Sequence, residues 1–149
     1  MNRTALLPAL LLSVCLVATG CGGDDGGDDE KAAEPLSKAD FVTQADEICA
    51  DGNAEIEAEA EAFPDEPSEE EIAQFADDIL IPNIQGQHDD IDALGAPEGD
   101  EDDVQAVLDA LQEGIDAVEA DPNTLLSSDD PFTEANDLAG AYGLEECAG

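Results

Sequence analysis

The chain predicts an all-α protein: a four-helix up-down bundle with one disulfide, preceded by a signal peptide and a disordered acidic tether. Four segments place apolar residues at helical spacing. The connections between them are short, which favours antiparallel neighbours. Two cysteines, Cys49 and Cys147, stand near opposite ends of the part that can fold. With 149 residues, one domain is expected, over residues 37–149.

Each helix has its own signals. Ser37 and Asp40 sit three apart as a weak capping box ahead of Phe41, Ala45, Ile48, Cys49, Gly52 and Ile56, so Phe41–Ala62 reads as the first helix. Its end alternates Glu and Ala, but both are strong helix formers and poor strand formers. Phe63-Pro64-Asp65-Glu66-Pro67 stops it. Ser68 with Glu71 is a better capping box, followed by Ile72, Phe75, Ala76, Ile79 and Leu80. Pro82 lacks a backbone donor and is expected to kink or interrupt this second helix before Ile84, Ile91 and Leu94 extend its face to Gly95. The third helix loads its first turn with Asp100 to Asp103. It then runs Val104, Val107, Leu108, Leu111, Ile115 and Val118 in an unbroken stripe to Asp121-Pro122. The last opens with Asp130 as cap and Pro131 in its first turn. It shows Phe132, Ala135, Leu138, Ala139 and Tyr142 on one face, and ends at Gly143.

Forty acids stand against three bases, for a net charge of -37. Such a chain repels phosphate backbones, so nucleic acid is excluded as a partner, and an anionic membrane surface repels the body as well. Residues 22–36 are mostly Gly, Asp and Glu and cannot bury anything, so they read as a self-repelling tether. The acidity has three readings: codon drift in a high-GC genome, adaptation to salt, or cation binding.

The first 20 residues read as a signal peptide: Arg3, an apolar run from Ala5 to Val17, then the small residues Ala18-Thr19-Gly20 before Cys21. The segment resembles a bacterial lipoprotein signal ending in a lipobox, with Ala18 where Leu, Val or Ile is usual. That resemblance implies that Cys21 is lipidated and heads the mature chain, which is then anchored on the extracytoplasmic side of the cell membrane. The other readings are an ordinary secretory signal or an uncleaved membrane helix, for which the run is short, since spanning takes about 20 apolar residues. Cys15 is lost with the signal, so Cys49 and Cys147 are left outside the cytoplasm, where disulfides persist. A metal pair or redox couple is the alternative, without a C-x-x-C or neighbouring histidine to support it.

Chemistry-bearing candidates are few. His88, the only histidine, with Asp89 and Asp92, is a candidate metal or proton site. The competing reading is a half-buried histidine held by a local carboxylate, because zinc wants three or four ligands in patterns absent here. Asp24/Asp25/Asp28/Asp29, Asp89/Asp90/Asp92 and Asp100/Glu101/Asp102/Asp103 offer oxygen to calcium, but none fits the EF-hand loop. Ser127 and Ser128 are not in a nucleophile elbow, and carboxylate pairs are too common here to mark an acid/base dyad. No catalytic residue and no cofactor is assigned.

From residue 41 onward the chain resembles small actinobacterial lipoproteins and secreted proteins of unassigned function. Phe41 to Cys49, Pro82 to Gln87, Leu94-Gly95-Ala96-Pro97 and Asp130 to Cys147 carry the likeness. It implies a helical domain with a Cys49–Cys147 bridge and brings no catalytic residue. The expectation is a non-enzymatic, lipid-anchored module that binds or scaffolds in the cell envelope, with an envelope protein of unknown identity as partner. Divalent-cation (calcium) binding or buffering is the second reading.

Overall fold

A computed structural model describes residues 35–64 and 66–149. The expected signal peptide, Cys21 and all of the expected tether except Pro35 and Leu36 lie outside the described residues. The helices are α1 (Lys38–Ala60), α2 (Glu69–Phe75), α3 (Ile81–Leu94), α4 (Glu101–Ala120) and α5 (Thr133–Tyr142), and the described residues contain no strand.

Ser37 starts α1, its hydroxyl accepting the Asp40 backbone N–H at 3.2 Å and donating to the Asp40 carboxylate at 2.6 Å. The helix begins three residues before the expected Phe41 and ends two before Ala62. Ser68 and Glu71 close a full capping box at α2. The Ser68 backbone N–H, with its hydroxyl second, donates to the Glu71 carboxylate and holds its pKa below the usual range.

At Pro82, where a kink or interruption is expected, the α-helical ladder gives way to a π turn while the backbone stays helical. Residues Ala76–Leu80 form one π-helical turn, in which the Ile81 N–H reaches the Ala76 carbonyl, and Phe75, Ala76, Leu80 and Ile81 all keep right-handed helical dihedrals. The wider turn takes up the ring and the missing donor locally, so α2, the π turn and α3 act as one rod.

Asp130 is also shifted from its expected role. Its carboxylate accepts the Phe132 N–H at 2.9 Å and its carbonyl accepts the Thr133 N–H, which makes a turn ahead of α5 rather than the cap itself. A 3-10 turn, Pro122–Leu126, follows α4 where no element was expected. Gly143 ends α5 in the left-handed region (φ 110°), as expected.

The four rods form a bundle in which α4 packs on α3 and α5, and α1 packs on α3. Two core layers fix the directions. One gathers Phe41 and Ala45 from the start of α1, Ile91 from the end of α3, Val104 and Leu108 from the start of α4, and Tyr142 from the end of α5. The other gathers Ala76, Leu80 and Ile84 against Ile115 and Val118 from the end of α4. Contacting rods therefore run antiparallel, which is the up-down arrangement. Phe41, Ile115, Leu144 and Val118 are fully buried, each contributing roughly 1.5–3 kcal/mol.

Cys49 and Cys147 are bridged across a sequence separation of 98, with their Cα atoms 5.1 Å apart. A loop of that length is worth about 4–5 kcal/mol in the chain-entropy view. Two polar bonds repeat the tie: the Glu146 N–H donates to Asp46 at 3.1 Å, and Asn53 Nδ2 donates to the Glu146 carbonyl at 2.9 Å. Both core layers and the disulfide lie within one compact unit, Ala33–Gly149. No described helix is long and apolar enough to cross a membrane.

Candidate functional site

The sequence-level candidates come apart in the fold. His88 Nδ1 lies 3.0 Å from Asp89 Oδ1, and Gln85 Nε2 donates to the same oxygen at 3.1 Å. These bonds, the one from His88 first, hold the Asp89 carboxyl below its usual pKa. Asp92 is exposed one turn further on and joins neither bond. Among the described residues no three His, Cys, Asp or Glu side chains come together in a set that could hold a metal ion. In the Asp100–Asp103 run, Asp100 is taken by structure: Tyr142 Oη donates to it at 2.9 Å and Lys38 Nζ lies 3.5 Å away. Lys38 also stands over the Tyr142 ring, 3.7 Å from its centre. The trio clamps the start of α1 to the start of α4 and the end of α5. Burial first, then the bond to Asp100, pushes the Tyr142 hydroxyl well above its ordinary pKa.

A site that the sequence did not disclose lies against the second core layer. A cleft of about 470 Å³ opens between α1, α3 and the α4–α5 connection. Its floor is Ile56, Leu80, Ile84, Leu111, Leu125 and Phe132. Leu80 and Ile84 are buried in the second core layer, while the other four are half-buried and face the opening. The rim is polar: Asn53, Gln87, Asn136, Ser127 and Asp130, with Cys147 at one edge. Leu126, 64% exposed, is the only exposed large hydrophobic side chain among the described residues and adjoins that rim.

Two glycines shape the cleft. A Cβ at Gly114 would stand 2.4 Å from Phe132 Cδ1, so the bare α4 backbone lets the ring approach closely as part of the floor. A Cβ at Gly52 would stand 2.3 Å from Gln87 Nε2 and 2.9 Å from Asn83 Oδ1, so α1 leaves room for two side-chain amides. Those amides form a relay. Asn83 Nδ2 donates to the Glu55 carboxylate at 3.1 Å, and Gln87 Nε2 donates to Asn83 Oδ1 at 2.7 Å. A carboxylate only accepts, so Glu55 fixes which way both amides face.

Ile56, Leu80, Ile84, Leu111 and Phe132 stand on the apolar helix faces read from the sequence, with Gly52 on the first helix, whereas Leu125 and Gly114 gave no signal there. What joins them is tertiary: Asn53 and Glu146 lie 93 residues apart. The cleft has the size and character of ligand pockets, which are about 300–1,000 Å³, apolar and edged by a few polar groups. It holds no nucleophile–base pair. No protein-family model, curated protein or solved structure matches this chain.

Proposed function

We propose that this chain is a non-enzymatic binding module of the cell envelope. In this reading it is anchored through lipid on Cys21, held off the membrane by the acidic residues 22–36, and binds its ligand in the cleft of the helical unit. The single observation that carries the binding reading is the half-buried apolar floor of Ile56, Leu111, Leu125 and Phe132, kept open within a disulfide-tied bundle. Closed packing would bury these side chains for roughly 25 cal/mol per Å², and a ligand can recover that area.

The anchor reading is supported by the order of base, apolar run, small residues and cysteine at Arg3 to Cys21. The disulfide is in keeping with an oxidising compartment. Fractionation of a bacterium expressing the full chain tests it. The unchanged chain is expected in the membrane fraction, and the Cys21→Ser chain is expected to leave it for the soluble extracytoplasmic fraction. A Cys21→Ser chain that stays with the membrane, or an unchanged chain that is soluble, would sink the anchor.

A further inference from the structure

Binding in the cleft leaves open what binds, and the charge on the rim answers that. Asn53 spends one of its two amide N–H groups on the Glu146 carbonyl, and Gln87 spends one of its two on Asn83. Each amide is oriented by a partner that can only accept: a backbone carbonyl for Asn53, and Glu55 through Asn83 for Gln87. Their oxygens, Asn53 Oδ1 and Gln87 Oε1, have no donor among the described residues. Asp130 commits Oδ1 to the Phe132 N–H, which leaves Oδ2. Ser127 donates its hydroxyl proton to the Asp129 carbonyl. These rim groups thus offer amide N–H donors as well as acceptors, and the charge among them is that of Asp130, the one carboxylate side chain among the described residues that line the cleft. Around it stands a chain of net charge -37, which repels anions and concentrates cations.

We propose that the cleft takes a small organic cation with an apolar body: a primary ammonium, with its N–H groups on the rim acceptors and Asp130, and a hydrocarbon chain or ring on the floor. This rests on the reading of the cleft as a ligand site and adds its chemical class. The Asp130 carboxylate and the amide oxygens left without a donor match an ammonium, which donates three hydrogen bonds and accepts none. A carboxylate-headed amphiphile of the same size would find amide N–H groups but meet the repulsion of Asp130 and of the acidic chain around it. The floor excludes a bare inorganic cation as the preferred ligand, because six apolar side chains offer it nothing in exchange for its water.

Calorimetry on residues 33–149 tests this with three probes sharing one apolar body: 4-phenylbutylammonium, 4-phenylbutanol and 4-phenylbutanoate, at fixed ionic strength, with methylammonium as the charge-only control. The expected result is one saturable site for the ammonium, at least tenfold tighter than for the alcohol, with the carboxylate weakest and methylammonium showing no saturation. Asp130→Asn keeps the turn-forming oxygen and should bring the ammonium close to the alcohol. Asp116→Asn, on the exposed face of α4, should leave the preference intact. If the alcohol binds as tightly as the ammonium, the cleft is a ligand site but the cation reading is overturned. If none of the three phenyl probes saturates, or the ammonium gives only the methylammonium heat, the cleft is no ligand site and both readings fail. Loss of the preference in Asp116→Asn would assign it to the overall charge and overturn the role of the rim.

Discussion

A Cβ at Gly114 would sit 2.4 Å from Phe132 Cδ1 and 3.0 Å from the Pro131 carbonyl oxygen, while one at Gly52 would meet only the ends of two amides. In both cases alanine gains roughly 0.8–1 kcal/mol of helix propensity over glycine. At Gly114 a packed ring and a backbone oxygen must move, and overpacking of this kind costs about 1–3 kcal/mol. Gly114→Ala should therefore lower the urea midpoint, whereas Gly52→Ala, where Gln87 can swing aside, should leave it near that of the unchanged chain. Equal, large losses in both would mean that the Gln87 amide is held as rigidly as the Phe132 ring. Neither role was legible beforehand, since a glycine on a helix face does not say which side chain occupies the space it leaves.

Among the elements, the clearest test concerns how the start of α1, the start of α4 and the end of α5 are held together. Tyr142 is buried and donates to Asp100, with Lys38 over its ring, and its pKa is raised. The folded chain then keeps a proton that the unfolded chain gives up near pH 10. The contribution is full below that value, and stability falls as pH rises above it, because the unfolded state there binds fewer protons. The chain has one tyrosine and only three Lys and Arg residues, so little else titrates in that range. Urea midpoints taken between pH 9 and pH 11 should drop more steeply for the unchanged chain than for Tyr142→Phe. Parallel slopes would show that the hydroxyl carries no such linkage.

The helices themselves were largely legible, because caps and apolar stripes are local. The Ser68–Glu71 box, the α4 stripe and the Gly143 stop stand where the residues put them. Departures fall where a local rule admits two outcomes. Pro82 demands only that the backbone lose a bond, and a π turn satisfies that as well as a break does. Asp130 can cap a helix or close a turn, and Pro131-Phe132 settle it by packing on α4 at Gly114. The cleft was not legible at all. Its floor residues other than Leu125 read as ordinary core positions, and Asn53 on its rim is held by a contact 93 residues away, with Glu146.

At the scale of the whole molecule, self-repulsion is the dominant opposing term that the charge count reveals. None of the five α-helices has a basic residue in its last turn, so nothing offsets the negative ends of their dipoles. Raising the salt from about 10 mM to about 1 M shortens the screening length from roughly 30 Å to 3 Å. The thermal midpoint should rise over that range, and sodium should act much as calcium does at equal ionic strength. A sharp, saturable rise with calcium alone would instead mark a specific ion site among the carboxylates.

The same charge shapes the proposed role. In the proposed role a body this acidic stays off an anionic membrane, so attachment is assigned to a lipid on Cys21, with residues 22–36 setting the distance. The most direct test is the intact mass of the mature chain purified from membranes of a bacterium expressing it. The expected mass is that of residues 21–149 with the Cys49–Cys147 bridge, plus acyl groups confined to Cys21. A chain that begins elsewhere, or begins at Cys21 with no lipid, would contradict the reading of this protein as an anchored envelope module.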